Sequence, residues 1–330
     1  MLAYTIRRLF QGLFVLAFVI WFTFSLSYLQ PQGAYAPAHI LCSTHQTRAC
    51  LNFYIRTLGL NQNYFVRLWQ YVEGLVVHFN LGFSYKNNQT VGSLLGVFIP
   101  RTFWIAFFAL VFAVLIAVPL GIYQAWKRNS VFDYAATGFG FVLYAIPAFV
   151  LGLALIEVFS FGHPFSFLPA SPTDVTQGGT ISPWMIFTDP LAFVLPVATL
   201  TALSVAGFSR FMRSQVLDVL VQDYIRTAWA KGCDTRGVLI RHTMRNALGP
   251  IAVLVGLSIP ILLSGAILVE EVFNYPGLGY ETVNASLDSD IYTVLGITIL
   301  VTIATVLGNL LADLALGVLN PRVRIEGAAR

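Results

Sequence analysis

Charge is what this sequence has least of. One residue in ten is Asp, Glu, Lys or Arg, and the 330 residues include only five histidines and three cysteines. Titratable groups are the raw material of acid–base and metal-assisted catalysis, so this composition argues against an enzyme with a convergent site of its own. There is no G-x-x-x-x-G-K-[ST] loop to cradle phosphates, which excludes a P-loop ATPase. The net charge is only +4, and topology sets where the basic residues stand, so nucleic acid is not an expected partner. No internal repeat and no low-complexity segment interrupts the chain.

Apolar residues fill the gap. They make up 57% of the chain, 27 of them Phe, and the mean hydropathy is +0.74. They fall in runs, and a helix of roughly 20 residues crosses a bilayer core of about 30 Å. Six spans are predicted, at Leu9–Leu29, Thr102–Trp126, Tyr134–Ser160, Leu191–Phe211, Ile251–Val272 and Ile291–Val318. The first follows Arg7-Arg8 but is too long and bulky for a signal peptide, and it reads as a retained span. Pro119, Pro147, Pro196 and Pro260 lie in or near spans, where neighbouring helices can satisfy the freed carbonyls. With the N-terminus inside, the inner segments hold fourteen of the nineteen Lys and Arg residues. Phe161–Pro190 and Phe273–Asp290 hold none. The positive-inside bias therefore predicts an all-α membrane protein with both termini cytoplasmic. Residues 1–29 form the tail and first span, 30–100 a small extracytoplasmic subdomain, and 101–330 a five-helix core. Asn63–Phe79 in the subdomain has helical apolar periodicity, with Phe65, Leu68, Trp69, Val72, Leu75 and Val76 on one side.

Few residues outside the spans invite chemistry. Cys42 and Cys50 fall on the outer side, where a disulfide is favoured. Two free thiols, or a Zn²⁺ or Ni²⁺ site completed by His39 and His45, are the alternatives. Cys233 lies inside and reads as inert. Glu157 and Asp313 are candidate intramembrane charges, yet both stand within a turn or two of an interface, where pairing or solvation suffices. Arg210 and Arg213 at the inner end of the fourth span read either as positive-inside anchors or as part of an inner mouth.

The segment Asp223–Pro250, DYIRTAWAKGCDTRGVLIRHTMRNALGP, is the exception to the apolar rule. Tyr224, Ile225, Ala228 and Trp229 share one apolar helical face. Gly232 suits the left-handed C′ position that ends such a helix. Asp234 or Thr235 can cap a second helix carrying Val238, Leu239, Ile240 and Met244, with Arg241 and Arg245 stacked four apart. Residues 246–250 then return the chain to the membrane. Periodicity alone fits a protein-docking knob and an amphipathic element on anionic lipid equally.

At this segment the chain resembles the permease subunits of binding-protein-dependent ABC importers, in the dipeptide, oligopeptide and nickel group. Their signature EAA-x3-G-x9-I-x-LP is matched in spacing by Arg226-Thr227-Ala228, Gly232 and His242. The peptide branch commonly reads like DYVRTARAKG…RHALRNALxP, against DYIRTAWAKG…RHTMRNALGP here. LGLNQNYFVRLWQYV, LGFSY, PRTFWIAFFAL, GAILVEEVFNYPGLG and DLALGVLNPRVRI look like that branch in the same order. The chain departs from the family at Arg226, where the signature is acidic, and at HFNLGFS, where the family often has GDLGRS.

The resemblance implies a multi-pass subunit of the bacterial inner membrane. It forms half of a peptide pathway and works by alternating access. ATP and Mg²⁺ are bound by partner subunits and no cofactor by this chain. The implied partners are a second homologous permease, two ATPase subunits or domains, an extracytoplasmic solute-binding protein, the peptide substrate and the bilayer. Coupling helices at about 215–250 place Arg226, Thr227, Ala228, Gly232, His242, Arg245, Asn246 and Pro250 at the ATPase. Tyr275, Pro276, Gly277, Leu278 and Gly279 face the binding protein or gate the outer mouth. Nickel is the alternative substrate within the same class. A secondary transporter or channel would need ionisable groups near the midplane, which are scarce here. A membrane enzyme would need groups converging on one side, whereas His78, His163 and His242 are divided between the two.

Overall fold

The computed structural model describes residues 2–30, 33–43, 47–160, 167–176 and 182–319. In chain order, α1 (Leu2–Leu29) leads through a 3₁₀ turn (Gly33–Tyr35) to α2 (Ala36–Leu41), α3 (Arg48–Thr57) and α4 (Tyr64–His78). Strands β1 (Phe83–Ser84) and β2 (Gln89–Thr90) form a small antiparallel hairpin. Then come α5 (Val91–Trp126), α6 (Val131–Ala145), α7 (Ala148–Phe159), α8 (Thr173–Thr176), α9 (Met185–Thr188) and α10 (Leu191–Leu220). After α11 (Asp223–Ala230) and α12 (Thr235–Gly237), a π-helical stretch (Val238–Met244) runs into α13 (Arg245–Val272). The chain continues through α14 (Leu278–Leu287) to α15 (Ile291–Leu319).

This is an all-α membrane protein. Among the described residues four helices are long and apolar enough to cross a bilayer, and a bent pair, α6 with α7, makes a fifth candidate. α13 covers the expected span Ile251–Val272, but the side chains of residues 259–265 lie outside the described set. Large apolar side chains such as Phe10, Phe14, Phe18 and Trp21 of α1 and Phe103, Phe107, Leu115 and Ile116 of α5 are exposed, as lipid contact requires.

Two expectations about the spans are corrected. Tyr134–Ser160 is not one straight span. Ile146 takes an extended conformation before Pro147, since the proline ring disfavours helix in the preceding residue, and the two halves bend by 105°. The helix that carries the second expected span begins well before Thr102, because α5 starts at Val91, capped by the Thr90 hydroxyl. Val91, Leu94, Leu95 and Phe98 are buried at helical spacing against Leu278 and Ile297, so the helix is held across Pro100. The boundary expected at residue 100 therefore lies inside a helix.

The centre of the fold is the α5–α10 seam. Ile105, Ala109, Ala113, Ala117, Gly121 and Ala125 recur every four residues on α5 and are all buried. Small residues at this spacing let two backbones approach closely. A Cβ on Gly121 would stand 2.6 Å from the Ser209 carbonyl oxygen and 2.7 Å from the Met212 Cβ. Ahead of the hairpin, α4 packs Leu68, Tyr71, Val72 and Leu75 onto α1 and α15. Phe65, Trp69 and Val76 of the same helix stay exposed, so the predicted apolar side is split between core and surface.

Candidate functional site

The basic segment folds as a compact knob under α10. α11 ends in a Schellman turn. Gly232 N–H donates to the Trp229 carbonyl at 2.9 Å and Cys233 N–H to the Ala228 carbonyl at 3.2 Å, with Gly232 at φ +83°. The Asp234 carboxylate then accepts from the Gly237 N–H at 3.0 Å and opens the next helix. That helix does not stop before the membrane. It passes through the π-helical stretch, where the Thr243 hydroxyl donates to the Val238 carbonyl at 3.1 Å, and becomes α13.

The faces of α11 differ from expectation. Ile225 and Ala228 are buried against Val238, Val219, Leu220 and Cys233 of the same chain, with Ala228 only 6% exposed. Ala228 is therefore a packing residue of the knob. Tyr224 and Trp229 are exposed, the latter at 44%, as are Arg226, Thr227, Lys231 and Arg245. Arg226 lies 3.6 Å from Asp223 in an exposed ion pair. Asn246 Nδ2 donates to the Tyr224 hydroxyl at 3.0 Å and to the His242 carbonyl at 3.0 Å, tying α11 to the start of α13. His242 and Pro250 are half-buried in that junction.

Both arginines in the C-terminal half of α10 engage α6. Arg213 forms a two-pronged bridge to Asp133, with both N···O distances 2.7 Å. The Arg210 guanidinium sits 4.8 Å from the ring centroids of both Phe141 and Tyr144. Glu157 lies exposed near the end of α7, and the Asp313 side chain lies outside the described residues.

The loop Tyr275–Gly279 is packed inside the chain. All five residues are buried, so the loop is a structural clamp inside this chain. Its centre is the Glu270 carboxylate, which is fully buried. One oxygen accepts from the Gly279 N–H at 2.7 Å and the Tyr280 N–H at 3.1 Å, and the other from the Thr102 hydroxyl at 2.6 Å. Thr102 in turn accepts from the Leu278 N–H at 2.8 Å. Side chains at Gly277 or Gly279 would collide with Glu270 and with Ile267. Arg101 packs its guanidinium 5.0 Å from the Tyr275 ring centroid and donates to the Ser182 carbonyl. Sequence reasoning passed over Glu270, Thr102 and Arg101. The available signal was a charged residue at the end of each of two spans, directly beside PRT and YPGLG.

Beyond the clamp, Glu281 of α14 accepts from Asn87 at 3.0 Å, and Asp290 accepts from Ser84 and Thr293. Burial pushes the Glu281 carboxyl up to about 7 against the pull of Asn87, with Asp290 and Asp288 adding to the rise. A raised carboxyl favours its neutral form in the folded protein. Its packing is tightest below about 4.5, the ordinary Glu value, and weakens as pH rises through about 7. Hydrogen exchange of α14, corrected for intrinsic rates, is expected to be faster at high pH, and Glu281→Gln should flatten that dependence. An α14 whose protection ignores pH across this window would remove Glu281 as the cause.

Between α2 and α3, Cys42 and Cys50 are joined in a disulfide, with Cα atoms 6.1 Å apart. Both sulfurs are thereby withdrawn from the metal site considered with His39 and His45. His45 and His163 lie outside the described residues.

Two family models cover the chain. One, described as the binding-protein-dependent transport system inner membrane component, matches residues 117–325, and the corresponding N-terminal model matches residues 1–106. The chain is 31% identical over 324 residues to the oligopeptide transport system permease protein AppB of Bacillus subtilis, covering 98% of this chain and 99% of that one. It is 34% identical to the dipeptide transport system permease protein DppB of Alkalihalophilus pseudofirmus, covering 98% of this chain and all of the relative. With DppB of Escherichia coli the identity is 35%, over 81% of this chain and 83% of the relative. A match of this extent, on a bundle of apolar helices with a capped basic knob at one end, makes the chain a member of the inner membrane component family of binding-protein-dependent transport systems.

Proposed function

We propose that this chain is the permease subunit of an ATP-driven importer of di- or oligopeptides in the bacterial inner membrane. In this reading it has six spans, with α6–α7 as a broken third and α13 as the fifth, and both termini are cytoplasmic. A second permease completes the pathway, two ATPase subunits or domains drive it, and an extracytoplasmic binding protein delivers the peptide. The observation that carries the reading is full-length similarity to peptide permeases, together with a knob that exposes aromatic and basic residues on one face. Energy from ATP hydrolysis would enter through Tyr224, Arg226, Trp229 and Arg245 on the outward face. Ile225 and Ala228 hold the knob together from within. Peptide is favoured over nickel by the relatives' names and by the disulfide, which withdraws Cys42 and Cys50 from a metal.

The test separates coupling from assembly. Gly232→Val puts a β-branched residue at φ +83°, a strain of about 1–3 kcal/mol at the turn that presents Trp229. No atom lies within 4 Å of the added Cβ, so the effect is conformational and local. Trp229→Asp alters the outward face without touching the core. Both variants should insert at normal levels, yet lose peptide uptake and the stimulation of ATP hydrolysis by loaded binding protein. Full stimulation in both would return the knob to a lipid-surface role.

A further inference from the structure

A cavity of about 350 Å³ opens among α4, the hairpin and the start of α15, away from the knob and the clamp. Arg67, Gln70, Tyr71, Gly74, Tyr85 and Tyr292 line it. Arg67 is only 8% exposed. It gives one N–H to the Ala34 carbonyl at 2.9 Å and lies 5.3 Å from the Tyr28 ring centroid, but among the described residues no carboxylate pairs with it. Asp290, behind Tyr85, is engaged by Ser84 and Thr293. The Tyr71 hydroxyl, on a side chain also 8% exposed, is buried with no hydrogen-bond partner. A buried cation and a buried hydroxyl, one helical turn apart on the same wall, leave donors for which the described residues supply no anion.

We propose that this cavity binds a carboxylate carried on a short peptide chain, held by the Arg67 guanidinium and the Tyr71 hydroxyl. Arginine suits this task because its planar fork meets both oxygens of a carboxylate. The volume lies in the range of small-molecule sites, about 300–1,000 Å³. Tyr85 and Tyr292 supply aromatic walls, and Gln70 can meet the flanking peptide groups. Gly74 keeps the space open, since an added Cβ there meets nothing within 4 Å. The carboxylate has two possible sources, the free C-terminus of a peptide or an acidic side chain within one. The carboxylate is argued from the cavity itself, whereas the choice of a peptide as its carrier rests on the importer reading.

The experiment uses the full chain in nanodiscs and calorimetric titration with three probes, Ac-Ala-Ala-Ala-OH, Ac-Ala-Glu-Ala-NH₂ and Ac-Ala-Ala-Ala-NH₂. At least one acid should bind saturably, and the neutral amide about tenfold more weakly or not at all. The acid that binds identifies the source. Gly74→Leu exchanges glycine for a good helix former, so the fold is kept while the cavity fills, and acid binding should fall at least about tenfold. Arg67→Gln should do the same by removing the charge. If that variant loses its fold with the Ala34 contact, Gly74→Leu decides alone. Equal binding of acid and amide, no binding of either acid, or acid binding that survives Gly74→Leu would overturn the proposal.

Discussion

Glu270→Ala is expected to remove folded protein from the membrane, whereas Glu270→Gln should leave most of it in place. The carboxylate accepts from three donors, the buried N–H of Gly279, the buried hydroxyl of Thr102 and the partly buried N–H of Tyr280. Each donor left without an acceptor costs about 1–3 kcal/mol, so truncation to alanine should lose more than about 3 kcal/mol before the new cavity is counted. Domains hold only about 5–15 kcal/mol in total, and this loss falls at the junction of α5, α13 and α14. Glutamine keeps an oxygen for the two backbone N–H groups and turns its amide to Thr102. The Thr102 hydroxyl can accept as well as donate, so the network closes again. Thermal unfolding of the purified variants, with the yield of monodisperse protein, reads the contrast. If alanine melts within a few degrees of the parent, the clamp does not hold the loop.

Gly121→Val should be as damaging, for a steric reason. Its Cβ would press on the Ser209 carbonyl and lie 3.0 Å from the Arg213 backbone nitrogen, and backbone cannot rotate away as a side chain can. Overpacking of a tight core costs about 1–3 kcal/mol and more where backbone must shift. Here the shift would also carry Arg213 away from Asp133 and open the only ion pair described between α10 and α6. Even Gly121→Ala should weaken the seam. Gly207→Ala, on the facing helix but with no atom within 4 Å of the added Cβ, should be neutral or slightly stabilising. Size-exclusion profiles of solubilised protein after graded heating compare the three. A Gly121→Val protein as stable as the Gly207→Ala control would mean that the two helices can separate without loss.

The split between what was legible and what was not follows the range of the interactions. Hydropathy runs marked where helices cross because burial in lipid is decided by each segment's own composition. The end of α11 at Gly232 and the cap at Asp234 were readable because a turn and a cap involve residues only a few positions apart. The family motif was readable for the same reason, since its spacing is local. Contacts between distant segments left no such mark. Glu270 meets Thr102 across 168 positions and Arg213 meets Asp133 across 80, and neither partner predicts the other from its neighbours. The loop Tyr275–Gly279 has the composition of an exposed turn, and it is buried because a carboxylate nine positions from Gly279 needed its N–H groups. Ala228 shares a helical face with Trp229 in the sequence, yet only the approach of Val238 and Leu220 decided which of the two would be covered. Sequence alone determined that the chain is a bundle of apolar helices with a capped basic knob. Tertiary structure decided which way each face of that knob turned, because burial of a face depends on what packs against it.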